Sequence, residues 1–328
     1  MSILEINNCP GTLAEGFNTY SKTCLKKVFH GKKVYHLLPY NSPATSLEAF
    51  KLFEENQKRI SISGVQEKFS MLMEKNKLRL LGKGEKGTYI LKPIPKVGRR
   101  LDQMPANEHL TMQIAKQVFG IETAENALIF FKDGEPAYIT KRFDVNVDGT
   151  KRHMEDFATL AGRIPQTHGT DYKYTGNYFE LFELMKQHLP AYKLEALKLF
   201  KLIVFNYLCS NGDAHFKNFS ILETDYGDFR LSPAYDLLNS RIHIEDNTFA
   251  LSDGLVPRKE AQGNVRRQFF CLGELAGFTK AQVTKQLNNM TCESKKVEKL
   301  IEASFLNDRT KRSYLQMYQA RLNRLLKE

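Results

Sequence analysis

The sequence predicts a bilobal α+β fold in which a β-rich N-terminal lobe with one long helix, residues 1–145, precedes a larger, mostly helical C-terminal lobe, residues 146–328. Three observations carry this expectation. Up to about Asp144, apolar residues alternate with period two in short runs between glycine-containing turns, the pattern of half-buried strands. Beyond Asp144 the apolar residues recur at helical spacing over longer runs. The 328 residues exceed one ordinary domain, and a chain that is 42% hydrophobic and 26% charged is globular, not collagenous, coiled-coil or disordered.

Residues 1–45 mix Gly, Asn, Ser and Pro around a basic stretch, Lys22 to Lys33, without a sustained period; an irregular leader packed on a domain is expected. Ile60, Ile62, Phe69, Met71 and Met73 alternate around a Ser-Ile-Ser-Gly-Val-Gln centre, as strands joined by a loop do. Residues 78–81 and 88–92 read as strands across a glycine-rich turn, and Lys92 closes the second before Pro93. Residues 105–119 fit a helix, with Pro105 near its start, Glu108 in its first turn, Leu110, Ile114, Ala115 and Val118 on one face, and Gly120 as its stop. Residues 127–131 and 137–142 flank an Asp133-Gly134 hairpin turn. In the second lobe, 178–188 and 194–209 are periodic, and the latter is apolar on most sides, as a core helix is. Short strands at 219–222 and 229–231 follow, then Pro233-Ala234-Tyr235-Asp236, and the remainder is mainly helical.

The apolar run at 194–209 is interrupted by Lys198, Lys201 and Asn206 and falls short of the ~20 residues that span a bilayer, so no membrane contact is expected. Met1 to Pro10 lacks the basic-then-apolar order of a secretory signal, and a cytoplasmic location is expected. Five cysteines, widely spaced and without a CxxC pair, argue against a disulfide framework or zinc ribbon and read as reduced thiols. Forty-eight basic against 37 acidic residues give +11, which draws nucleotides, nucleic acid or acidic proteins without choosing among them.

The strongest chemical signal is Asp213-Ala214-His215-Phe216-Lys217-Asn218. Phosphoryl transfer needs a carboxylate to orient and deprotonate the attacking hydroxyl, and an Asn or Asp to hold Mg2+ against the phosphates of ATP. Protein kinases place the two five residues apart in one loop, as Asp213 and Asn218 are. A second magnesium carboxylate is required beyond a short strand pair, where Asp236 stands. Asp213 also reads as an Asx-turn cap and Asp236 as a helix cap. Lys92, at a strand end before the long helix, matches the lysine that meets the α and β phosphates, but also reads as an exposed edge-strand lysine. Glu108 fits a partner for Lys92, although helix first turns favour Glu through the dipole alone. Ser61 to Lys68 lie where a glycine-rich phosphate loop belongs and contain one glycine. Together the architecture and residues are those of a protein-kinase-like fold.

The set Ser-Ile-Ser-Gly-Val-Gln-Glu-Lys, Tyr-Ile-Leu-Lys-Pro, Asn107-Glu108, Lys141-Arg142-Phe143-Asp144, Asn-Gly-Asp-Ala-His-Phe-Lys-Asn and Pro-Ala-Tyr-Asp-Leu resembles the HipA-type serine/threonine kinase toxins over roughly residues 55–328. The resemblance implies that Asp213 is the catalytic Asp and that Asn218 and Asp236 hold Mg2+. It implies that Ser63, Gly64, Val65, Gln66, Glu67 and Lys68 cover the ATP phosphates, and that Lys92, Glu108, His215, Lys217 and Tyr235 serve the nucleotide. Lys141, Arg142 and Phe143 would hold the adenine edge; the family commonly has Glu in place of Lys141, a departure of small effect where contacts are through the backbone. Ser61, with Ser63, matches the autophosphorylation position. The short leader and paired serines resemble the compact HipT branch. The implied partners are an aminoacyl-tRNA synthetase as substrate, a HipB-type antitoxin with DNA reached only through it, and a separate small HipS-like subdomain protein. Gly212 to Asn218 also fits the loop of aminoglycoside and choline phosphotransferases, which lack the Ser-Ile-Ser loop. A basic nucleic-acid-binding protein with a kinase-like shell would explain +11 but leaves Lys92, Asp213, Asn218 and Asp236 without a purpose.

Overall fold

The computed structural model describes residues 5–57, 67–146 and 148–327. Two compact units emerge, one built from Met1–Gln113, Ala124–Thr150 and Lys299–Lys311, the other from Ile114–Thr123, Lys151–Glu298 and Arg312–Glu328.

The first unit begins with two helices, α1 (Lys22–Val28) and α2 (Leu47–Gln57). Within residues 1–45, expected to be irregular, α1 is ordered: Ser21 caps it by accepting from the Cys24 N–H, and Lys26 and Lys27 sit at the favourable C-terminal end. Next come β1 (Phe69–Glu74), β2 (Lys77–Leu80), β3 (Tyr89–Lys92), α3 (Met104–Gln117), β4 (Asn126–Phe130) and β5 (Pro136–Lys141). The five strands form one antiparallel sheet in the order β2-β1-β3-β5-β4, so β3 is interior. Cys24 and Val28 of α1 and Ala49 and Phe53 of α2 share a buried cluster with Phe69, Met71, Leu91, Ile129 and Ile139 of the sheet. Phe53 meets Phe69 edge-on at 4.8 Å between centroids.

The second unit carries β6 (Met154–Asp156), α4 (Phe157–Leu160), α5 (Pro165–His168), α6 (Phe179–His188), α7 (Tyr192–Leu208), β7 (Ser220–Glu223) and β8 (Phe229–Leu231). Helices α8 (Val265–Leu275), α9 (Lys280–Thr291), α10 (Ser294–Ala303) and α11 (Asp308–Leu326) complete the chain. Strand β6 escapes the sequence pattern because it has three residues; it pairs with β7, which pairs with β8. Helix α7 is buried from Leu199 through Leu208 except at Lys201, and Phe200 packs on Phe269 and Phe278. The following loop starts from this buried helix. No helix among the described residues is long and apolar enough to cross a membrane.

Candidate active site

Lys92 is not an exposed edge lysine. It ends the interior strand β3 opposite Tyr138 of β5, its ammonium lies 5.4 Å from that ring's centroid, and the residue is 5% exposed. It donates to Oε1 of Glu108 at 2.6 Å, and the two side chains are only 6% and 4% exposed. Glu108 lies in the second turn of α3, because the helix starts at Met104. The dipole of the first turn therefore does not account for this glutamate. A desolvated ion pair is costly to bury unless its geometry is good, and this one holds the ammonium at the end of β3.

Glu67 and Lys68 precede β1, where Glu67 pairs with Lys96 at 2.7 Å near the surface. Ser61, Ser63, Gly64, Val65 and Gln66 lie outside the described residues. Lys141 ends β5, Arg142 follows it, and the Arg142 N–H donates to the Thr88 carbonyl. The Arg142 guanidinium is bidentate on Asp144, with Nε at 3.0 Å from Oδ1. Burial pushes the Lys141 ammonium below its usual range. Phe143 is half-buried beside them.

In the second unit α7 runs into a loop whose turn is built by Asn211, not by Asp213: the Asn211 Oδ1 accepts the Asp213 N–H at 3.3 Å, while its own amide donates to Asn206. The Asp213 carboxylate is thereby free of a capping duty. Its side chain is 40% exposed, and its Oδ1 accepts from the Tyr174 hydroxyl at 2.8 Å. Next to it His215 is buried, with Nε2 at 3.9 Å from the same oxygen. Burial, opposed by the Asp213 charge, pushes the imidazole down to about 4, so it is neutral at pH 7. Residues Phe216–Asn218 form a 3-10 turn, and Lys217 reaches Asp156 at 3.6 Å.

The Asp236 segment is tied to this loop. The Tyr235 hydroxyl donates to the Lys217 carbonyl at 3.0 Å and lies 2.5 Å from the Ser220 hydroxyl. Asp236 caps no helix; Asn239 precedes the next 3-10 turn. It adopts φ +54, a left-handed conformation that Asp tolerates better than most residues. Its negative charge acts on His215. Asp213 and Asn218 thus stand at the two ends of one loop and 3-10 turn, and Asp236 follows Tyr235, whose hydroxyl is tied to that turn at the Lys217 carbonyl.

Several residues at this site carried no sequence signal. Ser240 accepts the Gly212 N–H at 2.8 Å and donates to Asp246, whose side chain is 8% exposed. A Cβ on Gly212 would fall 2.4 Å from Asp246 Oδ2 and 2.7 Å from the Asn247 carbonyl, so only glycine fits before Asp213. Arg321 of α11 donates to Ser210 and Thr248 and stacks on Tyr207. Arg163 stands 4.1 Å over the Phe216 ring and donates to the Thr175 carbonyl.

Comparison with known proteins bears on the family and the fold. A Haemophilus influenzae protein named "Putative kinase" is 25% identical over 332 residues, covering 94% of this chain and 93% of its own. "Putative kinase Y4dM" of Sinorhizobium fredii is 32% identical over 228 residues, and the match spans 65% of this chain but about half, 53%, of that protein. Among solved structures, HipA of Shewanella oneidensis, crystallised with HipB and operator DNA, superposes with a TM-score of 0.59 at 22% identity over 81% of this chain and 64% of HipA. The Helicobacter pylori proinflammatory kinase CtkA gives 0.53 at 15% identity over 77% of this chain and 90% of its own. These two show a shared kinase-like fold. Residues 60–302 match the HipA-like C-terminal domain family, and the chain belongs to it.

Proposed function

We propose that the chain is an ATP- and Mg2+-dependent serine/threonine protein kinase that acts in the cytoplasm as the toxin of a toxin-antitoxin pair. The observation that carries this reading is the buried Lys92–Glu108 ion pair on β3 and α3, the device by which a kinase holds its phosphate-binding lysine. Lys92 meets the ATP phosphates while Glu108 holds it. Lys141, Arg142 and Phe143 border the adenine, and Ser63 to Lys68 cover the phosphates. Asn218 and Asp236 offer the oxygen ligands that Mg2+ takes. Mg2+ held by these two residues would supply the positive charge that a phosphoryl group in transfer needs. Asp213 orients the acceptor hydroxyl and takes its proton. His215, neutral and buried, adds no competing cation, while Lys217 and Tyr235 keep the loop at the nucleotide.

The acceptor in this reading is a serine on an aminoacyl-tRNA synthetase, and Ser61 or Ser63 accepts phosphate in autophosphorylation. A HipB-type antitoxin binds the kinase, DNA is reached through it, and a HipS-like small protein supplies a further subdomain. Support for the antitoxin is the HipB and operator DNA in the Shewanella assembly.

The test is expression of wild type and Asp213→Asn, with labelled ATP and phosphoproteomics. Wild type should arrest growth and label one synthetase peptide and the Ser61–Ser63 peptide, and Asp213→Asn should lower transfer by ~10²-fold or more, as general-base loss does. Label on a small metabolite with none on protein would replace this reading with a small-molecule phosphotransferase.

A further inference from the structure

The Asp213 carboxylate has two oxygens, and side chains of this type have broad, nearly two-fold torsions about χ2. Nothing intrinsic to the residue fixes which oxygen faces an acceptor hydroxyl, yet a base works only within ~2.6–3.2 Å of the proton it takes. Something must hold the group. Among the described residues one side-chain donor reaches the carboxylate within hydrogen-bond distance, the Tyr174 hydroxyl, 2.8 Å from Oδ1. His215, at 3.9 Å, is too far to donate.

We infer that Tyr174 is a positioning residue for phosphoryl transfer, its hydroxyl committing Oδ1 of Asp213 and leaving Oδ2 for the acceptor; this rests on the kinase reading above. The tyrosine is itself held. Its N–H donates to the Asp171 carbonyl at 2.8 Å, its carbonyl accepts from Ser252 N–H at 2.8 Å, and the preceding Lys173 carbonyl accepts from Phe216 N–H at 3.1 Å. The ring meets His215 edge-on, centroids 5.0 Å apart. Arg163 joins the next residue, Thr175, to the face of Phe216. Burial and the Asp213 charge push the phenol well above its usual range, so it remains a donor throughout the working pH range.

The experiment compares full-length wild type, Tyr174→Phe, Tyr174→Ala and a protein with 3-fluorotyrosine at 174, measuring initial rates of phosphoryl transfer from labelled MgATP to lysate protein and to water. Tyr174→Phe keeps the ring against His215 and loses only the donor. It should lose ~10- to 100-fold in kcat, the scale of removing a group that orients a functional ligand, with KM for ATP unchanged. The fluorotyrosine protein, which retains a hydroxyl, should regain wild-type turnover. Wild-type kcat in Tyr174→Phe, with loss confined to Tyr174→Ala, would assign the ring to packing and overturn the inference. A rise in KM alone would overturn it as well. Wild type that transfers nothing to protein or water overturns the kinase reading itself, which separates that failure from failure of Tyr174.

Discussion

Replacing Lys92 by methionine separates what the buried ion pair does for stability from what it does for function. Methionine keeps an unbranched apolar stem of similar length, so the substitution deletes the ammonium and little else. Glu108 then loses a donor at 2.6 Å in a site where its side chain is 4% exposed. Removing one partner of a buried pair costs about 3–5 kcal/mol, and at about 2–4 °C per kcal/mol for a unit of this size the midpoint of thermal unfolding should fall by roughly 6–20 °C. The double variant Lys92→Met/Glu108→Gln removes the remaining buried charge while retaining an amide oxygen as acceptor. It should recover at least half of that loss by differential scanning calorimetry and urea titration. Phosphoryl transfer should be lost in both variants, because neither restores a cation for the phosphates. A single variant that melts within ~1 °C of wild type, the behaviour of an exposed pair, or a stable double variant that regains turnover would refute this role for the pair.

At Asp236 the left-handed backbone and the charge can be told apart, since Asn tolerates φ +54 as well as Asp does. Asp236→Asn should keep the melting temperature yet weaken MgATP binding by at least ~10-fold without changing metal-free ATP binding; equal loss of both by calorimetry would assign the residue to packing. His109 and His215 are each pushed down to about 4 by burial. Folding keeps them neutral, so their contribution is complete above the unfolded value near 6.5 and is lost as pH falls from there toward 4. Urea midpoints should therefore drop between pH 7 and pH 5, and a flat profile across that window would contradict the burial of these rings.

The residues that sequence reasoning could place are those whose role depends on near neighbours along the chain. Asp213 and Asn218 share one loop, Lys92 ends a short apolar strand before a proline, and the Asp133-Gly134 hairpin is local in both turn and pattern. Helix α1, at seven residues, is shorter than the window in which a 3.6-residue period can be recognised, and its order comes from packing Cys24 and Val28 under the sheet. Strand β6 exists because β7 offers it partners across more than sixty residues. The same applies to the placement of Glu108, whose turn in α3 depends on a helix start at Met104 that Pro105 alone did not reveal.

What the site needs beyond its reacting groups is carried by contacts at long range. Tyr174 reaches Asp213 across 39 positions, Ser240 reaches Gly212 across 28, and Arg321 reaches Ser210 across 111. A tyrosine, serine or arginine is common on any surface, and only the fold that brings it to a carboxylate gives it meaning. Gly212 shows the reverse relation. Its lack of a side chain is a local fact, but the reason is Asp246, 34 positions later, whose carboxylate fills the space a Cβ would need. A loop with the right acid and amide is therefore common, whereas a loop pinned through Ser240 and Asp246 on one side and Tyr174 on the other is built to hold one carboxylate in one orientation.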